Sequence, residues 1–432
     1  MKMIDFPEMS FPIQGIDEVK IPRMVRIRQN YSRDRVEDLQ GSLDEGFSRL
    51  DVAAQVKGKR IAVTAGSRGI PHNAEILRII CDQIRAWGGA PFIVPAMGSH
   101  GGGTVEGNLE ILRGYGITEE QVGAPILAGM DTVRIGTLDD EGKTPVYCDR
   151  YAAEADGIVL YNKVKPHTDF RGEHESGLMK MMTIGLGKQA GAYVAHKAGD
   201  DNMPPRLDAI GREIIRKANI LFGVGLMENA HEGTFKIPFL LPDEIPEQEP
   251  ALLNEAKDAM AKIFLDACDV IILEQIGKNF SGGGMDPNVV GRSRLPIGIK
   301  SERMGIFGLS EESHGNATGM GRADVATMRF FKTMTFDGTY PNAITDHDSS
   351  VYKVPLIMDN DKECLQCSMA ICLNMDAEKP RIIILKNSLD VETMLISEAL
   401  IPEAKTRKEL TILDEEPFEL EFDSEGNFLT KY

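Results

Sequence analysis

The segment between Lys163 and Lys197 concentrates residue types that can do chemistry. It contains three histidines, His167, His174 and His196, and five lysines among repeated glycines. Histidine exchanges protons near neutral pH, and lysine acts as a nucleophile or binds anions. The histidine spacings of 7 and 22 residues match neither HxxxH nor HExxH, so no zinc hydrolase is indicated. The segment therefore predicts acid–base chemistry or ligand binding, with a lysine-rich surface helix as the structural alternative.

A glycine-rich turn that contains His100 stands between a predicted strand and a predicted helix. Gly101, Gly102 and Gly103 follow the histidine, and Thr104 precedes the helix. Such a turn exposes backbone N–H groups beside the positive end of the helix dipole, which together can hold a phosphate. A flexible turn that happens to contain a histidine is the alternative.

Three further polar residues occur where predicted strands end. Arg68 follows one strand, where an arginine can hold a carboxylate through two hydrogen bonds. Gln275 and Lys278 follow another strand, in the second half of the chain. Each is a candidate for holding a ligand, and a solvated loop residue is the alternative, which position alone favours for Arg68.

Taken in order, these residues resemble the pattern of the nickel-pincer lactate racemase family. The pattern spans more than 200 residues, with 32 residues between the arginine and the first histidine and 16 between the lysine and the last histidine. Its parts here are Arg68, Gly98-Ser-His100, Pro166-His167, Ser176-Gly-Leu-Met-Lys180, His196 and Gln275-Ile-Gly-Lys278.

The resemblance implies an isomerase, a racemase or epimerase of a 2-hydroxy acid. Its cofactor would be a nickel pincer nucleotide, a pyridinium-3,5-bisthiocarboxylic acid mononucleotide tethered to Lys180, with His196 completing the nickel coordination. Sulfur and imidazole ligands suit such a metal. His100 and His167 would be the acid/bases, and the cofactor's phosphate would lie near Gly101–Gly103. The residues implied to hold the substrate are Arg68, Gln275 and Lys278.

Two differences from the family pattern leave alternatives open. Ala65 stands where the family has an acidic residue, so the resemblance does not specify which 2-hydroxy acid is the substrate. Extra residues separate His167 from Lys180, so His174 is a second candidate for the catalytic histidine. A non-catalytic nucleotide- or metal-binding homologue is the alternative function. The racemase hypothesis also implies partner proteins that make the cofactor.

Alternating strands and helices must position these residues. Strands are predicted at 60–65, 91–95, 157–161, 219–225, 269–274 and 381–385, with helices at 73–87 and 105–112. The composition of residues 241–250 predicts a surface connection, and residues 251–267 are predicted to form a helix. The pattern predicts a two-lobed α/β protein with mainly parallel sheets and flanking helices. Domains are expected at 1–255 and 256–432, with the active site in the cleft between them.

Composition excludes several classes of function. The 432 residues carry a net charge of −18, which opposes binding to nucleic acid or to anionic membrane surfaces. The sequence shows no membrane-spanning run and no signal peptide, so we expect a soluble cytoplasmic protein. Among six cysteines, Cys364 and Cys367 form the one close pair, at a spacing that predicts core packing on a helix rather than a metal site.

Overall fold

The computed structural model describes residues 15–197, 199, 202–346 and 349–432. The chain divides into two compact units. The first unit is Ser32–Met260, and the second unit joins Ala261–Tyr432 to the described residues up to Tyr31. The predicted division at residue 255 lies close to the observed one at residue 260. The prediction assigned the segment before Ser32 to the first domain, whereas it belongs to the second unit.

The strands and helices follow in chain order. The strands are β1 (Met24–Gln29), β2 (Arg60–Ala65), β3 (Ala90–Pro95), β4 (Thr132–Thr137), β5 (Pro145–Asp149), β6 (Gly157–Lys163), β7 (Ile220–Glu228), β8 (Thr234–Lys236), β9 (Phe239–Leu240), β10 (Ala267–Ile276), β11 (Lys300–Leu309), β12 (Val325–Thr327), β13 (Leu356–Met358), β14 (Ile382–Leu385), β15 (Thr393–Ser397) and β16 (Leu410–Ile412). The helices are α1 (Leu39–Ser48), α2 (Ala53–Val56), α3 (Asn73–Ala86), α4 (Val105–Gly114), α5 (Glu119–Val122), α6 (Arg150–Ala153), α7 (Leu178–Lys180), α8 (Lys188–His196), α9 (Met203–Lys217), α10 (Ile245–Ala259), α11 (Pro287–Val290), α12 (Met328–Thr333), α13 (Phe336–Asp346), α14 (Asp361–Ala370) and α15 (Ile401–Ala404).

The first unit is built on a sheet with the order β3-β2-β6-β7, in which neighbouring strands are parallel. The short strands β8 and β9 pair antiparallel with β7. Five of the six residues of β2 are buried, because helices cover both faces of a parallel sheet. The helix α3 buries the apolar residues Ile76, Leu77, Ile80 and Ile84, which recur at helical spacing.

The second unit contains an eight-stranded sheet with the order β13-β12-β11-β10-β14-β15-β1-β16. Along this order, neighbouring strands are parallel from β13 to β14 and antiparallel from β14 to β16. The predicted α/β class with mainly parallel sheets and flanking helices is confirmed. Cys364 and Cys367 are buried on α14 in the apolar core, and both are free thiols, so the predicted core packing is also confirmed. No helix among the described residues is long and apolar enough to cross a membrane.

The predictions for residues 241–267 are wrong in their boundaries. The stretch predicted as a surface connection contains the start of α10 at Ile245, and the helix ends at Ala259 rather than 267. Pro246 occupies the first turn, where proline is tolerated because that N–H has no partner within the helix. Pro250 lies inside the helix and offers no N–H to the carbonyl of Pro246. That carbonyl accepts a hydrogen bond from Nε2 of His174 instead, at 3.1 Å.

The glycine turn between β3 and α4 requires glycine for two different reasons. Gly101, Gly102 and Gly103 all have φ near +65°, a conformation that side chains disfavour. A Cβ atom on Gly101 would also lie 2.5 Å from the backbone of Gly107, in the first turn of α4. A Cβ atom on Gly102 would meet nothing within 4 Å. The turn is therefore packed tightly against α4 at Gly101 and open at Gly102.

This difference makes the two glycines a matched pair for measurement. We expect Gly102→Ala to lower the free energy of unfolding by about 1–2 kcal/mol, the cost of a left-handed backbone for alanine. Gly101→Ala should cost about 1–3 kcal/mol more, because its methyl group would overlap the backbone of Gly107. Urea denaturation of both variants measures the difference, and equal losses would contradict the close packing.

Candidate functional site

The candidate residues of the first unit follow strands that lie side by side. The loops after β2, β3 and β6 carry Arg68, His100 and His167. Because these strands are parallel neighbours, their carboxyl ends meet at one edge of the sheet. The side chains confirm one contact directly: Oγ of Ser67 lies 2.5 Å from Nδ1 of His100. The turn that carries His100 is thus hydrogen-bonded to the residue next to Arg68.

Lys180 is brought to the same edge by the segment that precedes it. Lys165 and Ser176 exchange two backbone hydrogen bonds of 2.9 and 3.1 Å, which fold the chain back beside β6. Nδ2 of Asn162, on β6, donates to the carbonyl of Gly177 at 2.7 Å. The short helix α7 follows and continues into a π-helical turn, Met181–Leu186. A π-helical turn is rare and often marks a functional site.

The amine of Lys180 lies among other cations. The surrounding protein removes much of its hydration, and the charges of Arg68 and Lys165 oppose a further positive charge. These effects lower the pKa of Lys180 to about 7, while the carboxylate of Asp169 acts in the opposite direction. The ring of Phe170 lies 5.9 Å from Nζ. A large fraction of this lysine is therefore neutral and nucleophilic at neutral pH.

His167 belongs to the same cluster. Burial lowers the pKa of its imidazole well below the ordinary value, and the charges of Lys180, Arg68, Lys165 and His196 act in the same direction. Its ring stacks on Phe170 with centroids 4.1 Å apart. Nδ1 of His167 accepts the backbone N–H of Asp169 at 3.1 Å, so the proton of the neutral ring lies on Nε2.

The backbone and the side chain of Asp169 both lie beside this imidazole. Its N–H donates to Nδ1 of His167, and a carboxylate oxygen lies 3.8 Å from the same nitrogen. These two groups of one residue hold the ring in place.

The helix α8 carries His196 at its C-terminal end, exposed to solvent and electrostatically coupled to His167. Its first residue, Lys188, is fully buried and donates through Nζ to the carbonyl of Pro95, the last residue of β3. The same Nζ lies 3.1 Å from the carboxylate of Asp149, at the end of β5. This buried ion pair connects the start of α8 to the strand that leads to His100.

His174, the alternative catalytic candidate, lies outside this cluster. It is 1% exposed, and its imidazole is held between the carbonyl of Pro246 and the carboxylate of Asp208, 3.5 Å from Nδ1. Burial lowers the pKa of His174. These contacts give it a packing partner on α10 and an ionic partner on α9.

The residues predicted to hold a phosphate form the turn before α4. The hydroxyl of Thr104 accepts the N–H of Gly107 at 3.1 Å and donates to the carbonyl of Gly101 at 2.9 Å, so it serves as the helix cap. Phosphate binding by Gly101–Gly103 remains a prediction.

Gln275 and Lys278 belong to the second unit. Gln275 is exposed near the end of β10, and Lys278 follows the strand. Nζ of Lys278 donates to the carbonyl of Gly282 at 2.8 Å, and its backbone N–H donates to Oγ of Ser313 at 2.9 Å. Their substrate-holding roles remain predictions.

Sequence reasoning did not select four residues of this region: Ser67, Lys165, Asp169 and Phe170. For Lys165 a signal existed. It stands two residues before His167 in an extended segment, and residues at that spacing lie on the same side of the chain. For the other three, the contacts arise from loop packing that has no periodic pattern.

A cavity of about 980 Å³ lies elsewhere in the first unit. It is lined by charged residues of α9, among them Arg206 and Arg212, and by residues before and within α10. Arg212 already forms ion pairs of 3.0 Å with Asp208 and Glu247. The described lining contains none of the candidate residues. No group of three or more metal-binding side chains occurs among the described residues.

Comparisons with known proteins add little to this geometry. No family model matches the chain, and no curated protein matches it. Among solved structures, the chain is similar to the lactate racemase apoprotein from Thermoanaerobacterium thermosaccharolyticum, with a TM-score of 0.43 and 12% identity. The similarity covers 70% of this chain and 73% of that one. A similarity of this degree says nothing about activity.

The low pKa of Lys180 leads to a prediction about its reactivity. Brief acylation at a series of pH values should give a labelling midpoint near pH 7 for Lys180. The exposed Lys408 serves as an internal reference for the amount of active reagent. Arg68→Gln removes a neighbouring positive charge, so it should raise the midpoint of Lys180. Arg113→Gln, at an exposed arginine on α4, is the control and should leave it unchanged. A midpoint near 10 in the wild type would show that Lys180 is not surrounded as described.

The buried pair of Lys188 and Asp149 leads to a second prediction. Lys188→Met leaves the carboxylate of Asp149 buried without its cation, which should lower the free energy of unfolding by about 3–5 kcal/mol at pH 7. Burial already raises the pKa of Asp149, so the loss should shrink in acid, where that carboxyl becomes neutral. Adding Asp149→Asn should recover much of the loss. Urea denaturation at pH 5 and pH 7 measures these effects, and a loss that is the same for the single and double variants would refute the pairing.

Proposed function

We propose that this protein is a racemase or epimerase of a 2-hydroxy acid that uses a lysine-tethered nickel pincer nucleotide. The observation that carries the proposal is the environment of Lys180, a lysine with a pKa of about 7 set among Arg68, Lys165 and His167. A surface lysine has no reason to lose its charge. A lysine that must react with an electrophile has to be neutral.

The donor set of the first unit fits this cofactor. A neutral amine at Lys180 suits a covalent attachment, and the imidazole of His196, coupled to His167, suits a nickel ligand. Cations at Arg68 and Lys165 suit the negative charge of a nucleotide and of a hydroxy acid. The chemistry that the cofactor supplies when bound is the reversible acceptance of hydride from C2 of the substrate.

The side chains of this chain supply binding and proton transfer. Arg68 can hold the substrate carboxylate through two parallel hydrogen bonds. With Nδ1–H of His100 donating to Ser67, Nε2 is the nitrogen that would accept the hydroxyl proton of one enantiomer. His167 is assigned to the other enantiomer, since its imidazole is neutral at neutral pH and belongs to the cluster of Lys180 and Arg68. Two imidazoles with separate partners meet the requirement for one acid/base per face of a planar 2-keto acid.

Intact-protein mass tests the first part of this proposal. Protein reconstituted with the cofactor-making proteins should carry a covalent nucleotide on Lys180, identified by peptide mapping. Lys180→Arg keeps the positive charge, removes the reactive amine and should carry no adduct. Reconstituted wild-type protein without an adduct on Lys180 would refute the tether.

Racemisation tests the second part and separates the two histidine candidates. We expect His167→Gln to lower turnover of the accepted hydroxy acid by about 10²–10⁴-fold, the range for a lost acid/base. His174→Gln is the matched control: it can keep a donor to the carbonyl of Pro246 and should leave turnover nearly unchanged. Chiral chromatography of the products gives the rates. A loss confined to His174→Gln would exchange the roles of the two residues.

A further inference from the structure

Glu249 is buried on α10 and contacts the chain just before Lys180. It is 1% exposed, and its Oε2 accepts the backbone N–H groups of Leu178 at 2.5 Å and of Met179 at 3.3 Å. These are the first two residues of α7, whose third residue is Lys180. The first N–H groups of a helix have no partner within it, and Gly177, which precedes α7, has no side chain to supply one. A residue 71 positions away therefore caps the helix that carries the reactive lysine.

Gly177 is shaped to this contact. A Cβ atom at residue 177 would lie 2.6 Å from the carboxyl group of Glu249, which leaves no room for any other residue while Glu249 is in place. The carbonyl of Gly177 accepts a hydrogen bond from Nδ2 of Asn162 at 2.7 Å. The chain before Lys180 is thus held by contacts to both β6 and α10.

The burial of this carboxyl group carries a cost that ordinary packing does not explain. Its second oxygen, Oε1, is buried and has no hydrogen-bond partner among the described residues. Burial raises the pKa of Glu249 to about 7, although the hydrogen bonds from Leu178 and Met179 lower it. An apolar side chain at this place would avoid the cost, but it could not accept the two N–H groups.

We propose that Glu249 is a positioning residue for Lys180, because it holds the start of the helix that aims the lysine into the cluster of Arg68, Lys165 and His167. Lys180 begins one residue after Met179, so a change in the backbone at 178–179 turns or shifts the lysine directly. Without the cap, the first turn loses two hydrogen bonds and the amine moves toward water. The positive charges of Arg68 and Lys165 then lower the pKa of Lys180 less.

The pH at which Lys180 titrates reports its position. In cofactor-free protein, Lys180 should be acylated with a midpoint near pH 7. Glu249→Ala should move this midpoint upward by about one pH unit or more, toward the ordinary value for lysine. Glu249→Gln keeps an oxygen that can accept both N–H groups. It should leave the midpoint of Lys180 within about 0.3 pH units of the wild-type midpoint. Labelling of the exposed Lys408 is the internal reference for the reagent in all variants.

The glutamine variant separates position from charge. Both substitutions remove the negative charge of Glu249, and loss of a nearby negative charge alone would lower the midpoint of a lysine. Equal downward shifts in both variants would overturn the proposal, because they would show an electrostatic effect. Unchanged midpoints in both would also overturn it.

A second variant keeps the test decisive if Glu249→Ala does not fold, as judged by circular dichroism and thermal unfolding. Gly177→Ala leaves Glu249 unchanged but places a methyl group where its carboxyl lies. It should raise the midpoint of Lys180 in the same direction as Glu249→Ala, and a wild-type midpoint in folded Gly177→Ala would refute the link.

The role of Lys180 as the attachment residue comes from the proposed function, whereas the link from Glu249 to Lys180 does not depend on it. Acylation needs no cofactor and no turnover, so the midpoints remain meaningful if no hydroxy acid is racemised. Where the cofactor does attach, Glu249→Ala should reduce the rate of adduct formation on Lys180 by about tenfold relative to Glu249→Gln. This corresponds to an increase of about 1.4 kcal/mol in the activation free energy when the amine is misplaced. Equal adduct in the two variants, with equal midpoints, would count against a positioning role.

Discussion

The buried ammonium group of Lys188 ties together the segments on which the candidate site of the first unit depends. It contacts the last carbonyl of β3, just before the turn of His100, and the carboxylate of Asp149 at the end of β5. Lys188 is also the first residue of α8, whose last residue is His196. Two opposite charges inside a protein are tolerated when each meets the other and a further polar group. The pair therefore restricts where the histidine-bearing segments can lie.

The helix α10 contacts the chain before Lys180 through Pro246 and Glu249. Pro250 leaves the carbonyl of Pro246 without its usual partner in the helix, and His174 supplies the missing hydrogen bond. Glu249 then extends to the start of α7. Two residues of one helix thus hold the chain before Lys180, which accounts for the burial of a histidine and a glutamate that take no place in the cationic cluster.

The cluster itself contrasts with the charge of the whole protein. The chain carries a net charge of −18, yet Lys180 lies with Arg68 and Lys165 at the carboxyl edge of a sheet. Like charges that share partly dehydrated space lower one another's proton affinity. An anion that enters this region relieves the repulsion, whereas most of the remaining surface repels it. Local arrangement, not net charge, decides what such a protein can bind.

Much of this fold follows from the sequence alone. Continuous apolar runs at 60–65 and 157–161 predict buried strands, and the 3.6-residue period at 73–87 predicts a helix, because both patterns are local properties of the sequence. The order of polar residues after the strands was also sufficient to expect Arg68, His100 and His167 at one edge. The start of α10 was not predicted, since a proline inside a helix, here Pro250, usually ends it. Tertiary structure alone decided that His174 packs against Pro246 while His167 joins Lys180, and that Glu249 caps α7. The contacts of Pro246 and Glu249 join residues 72 and 71 positions apart, and that of His167 depends on irregular loop packing. Neither kind of contact leaves a periodic trace in a single sequence.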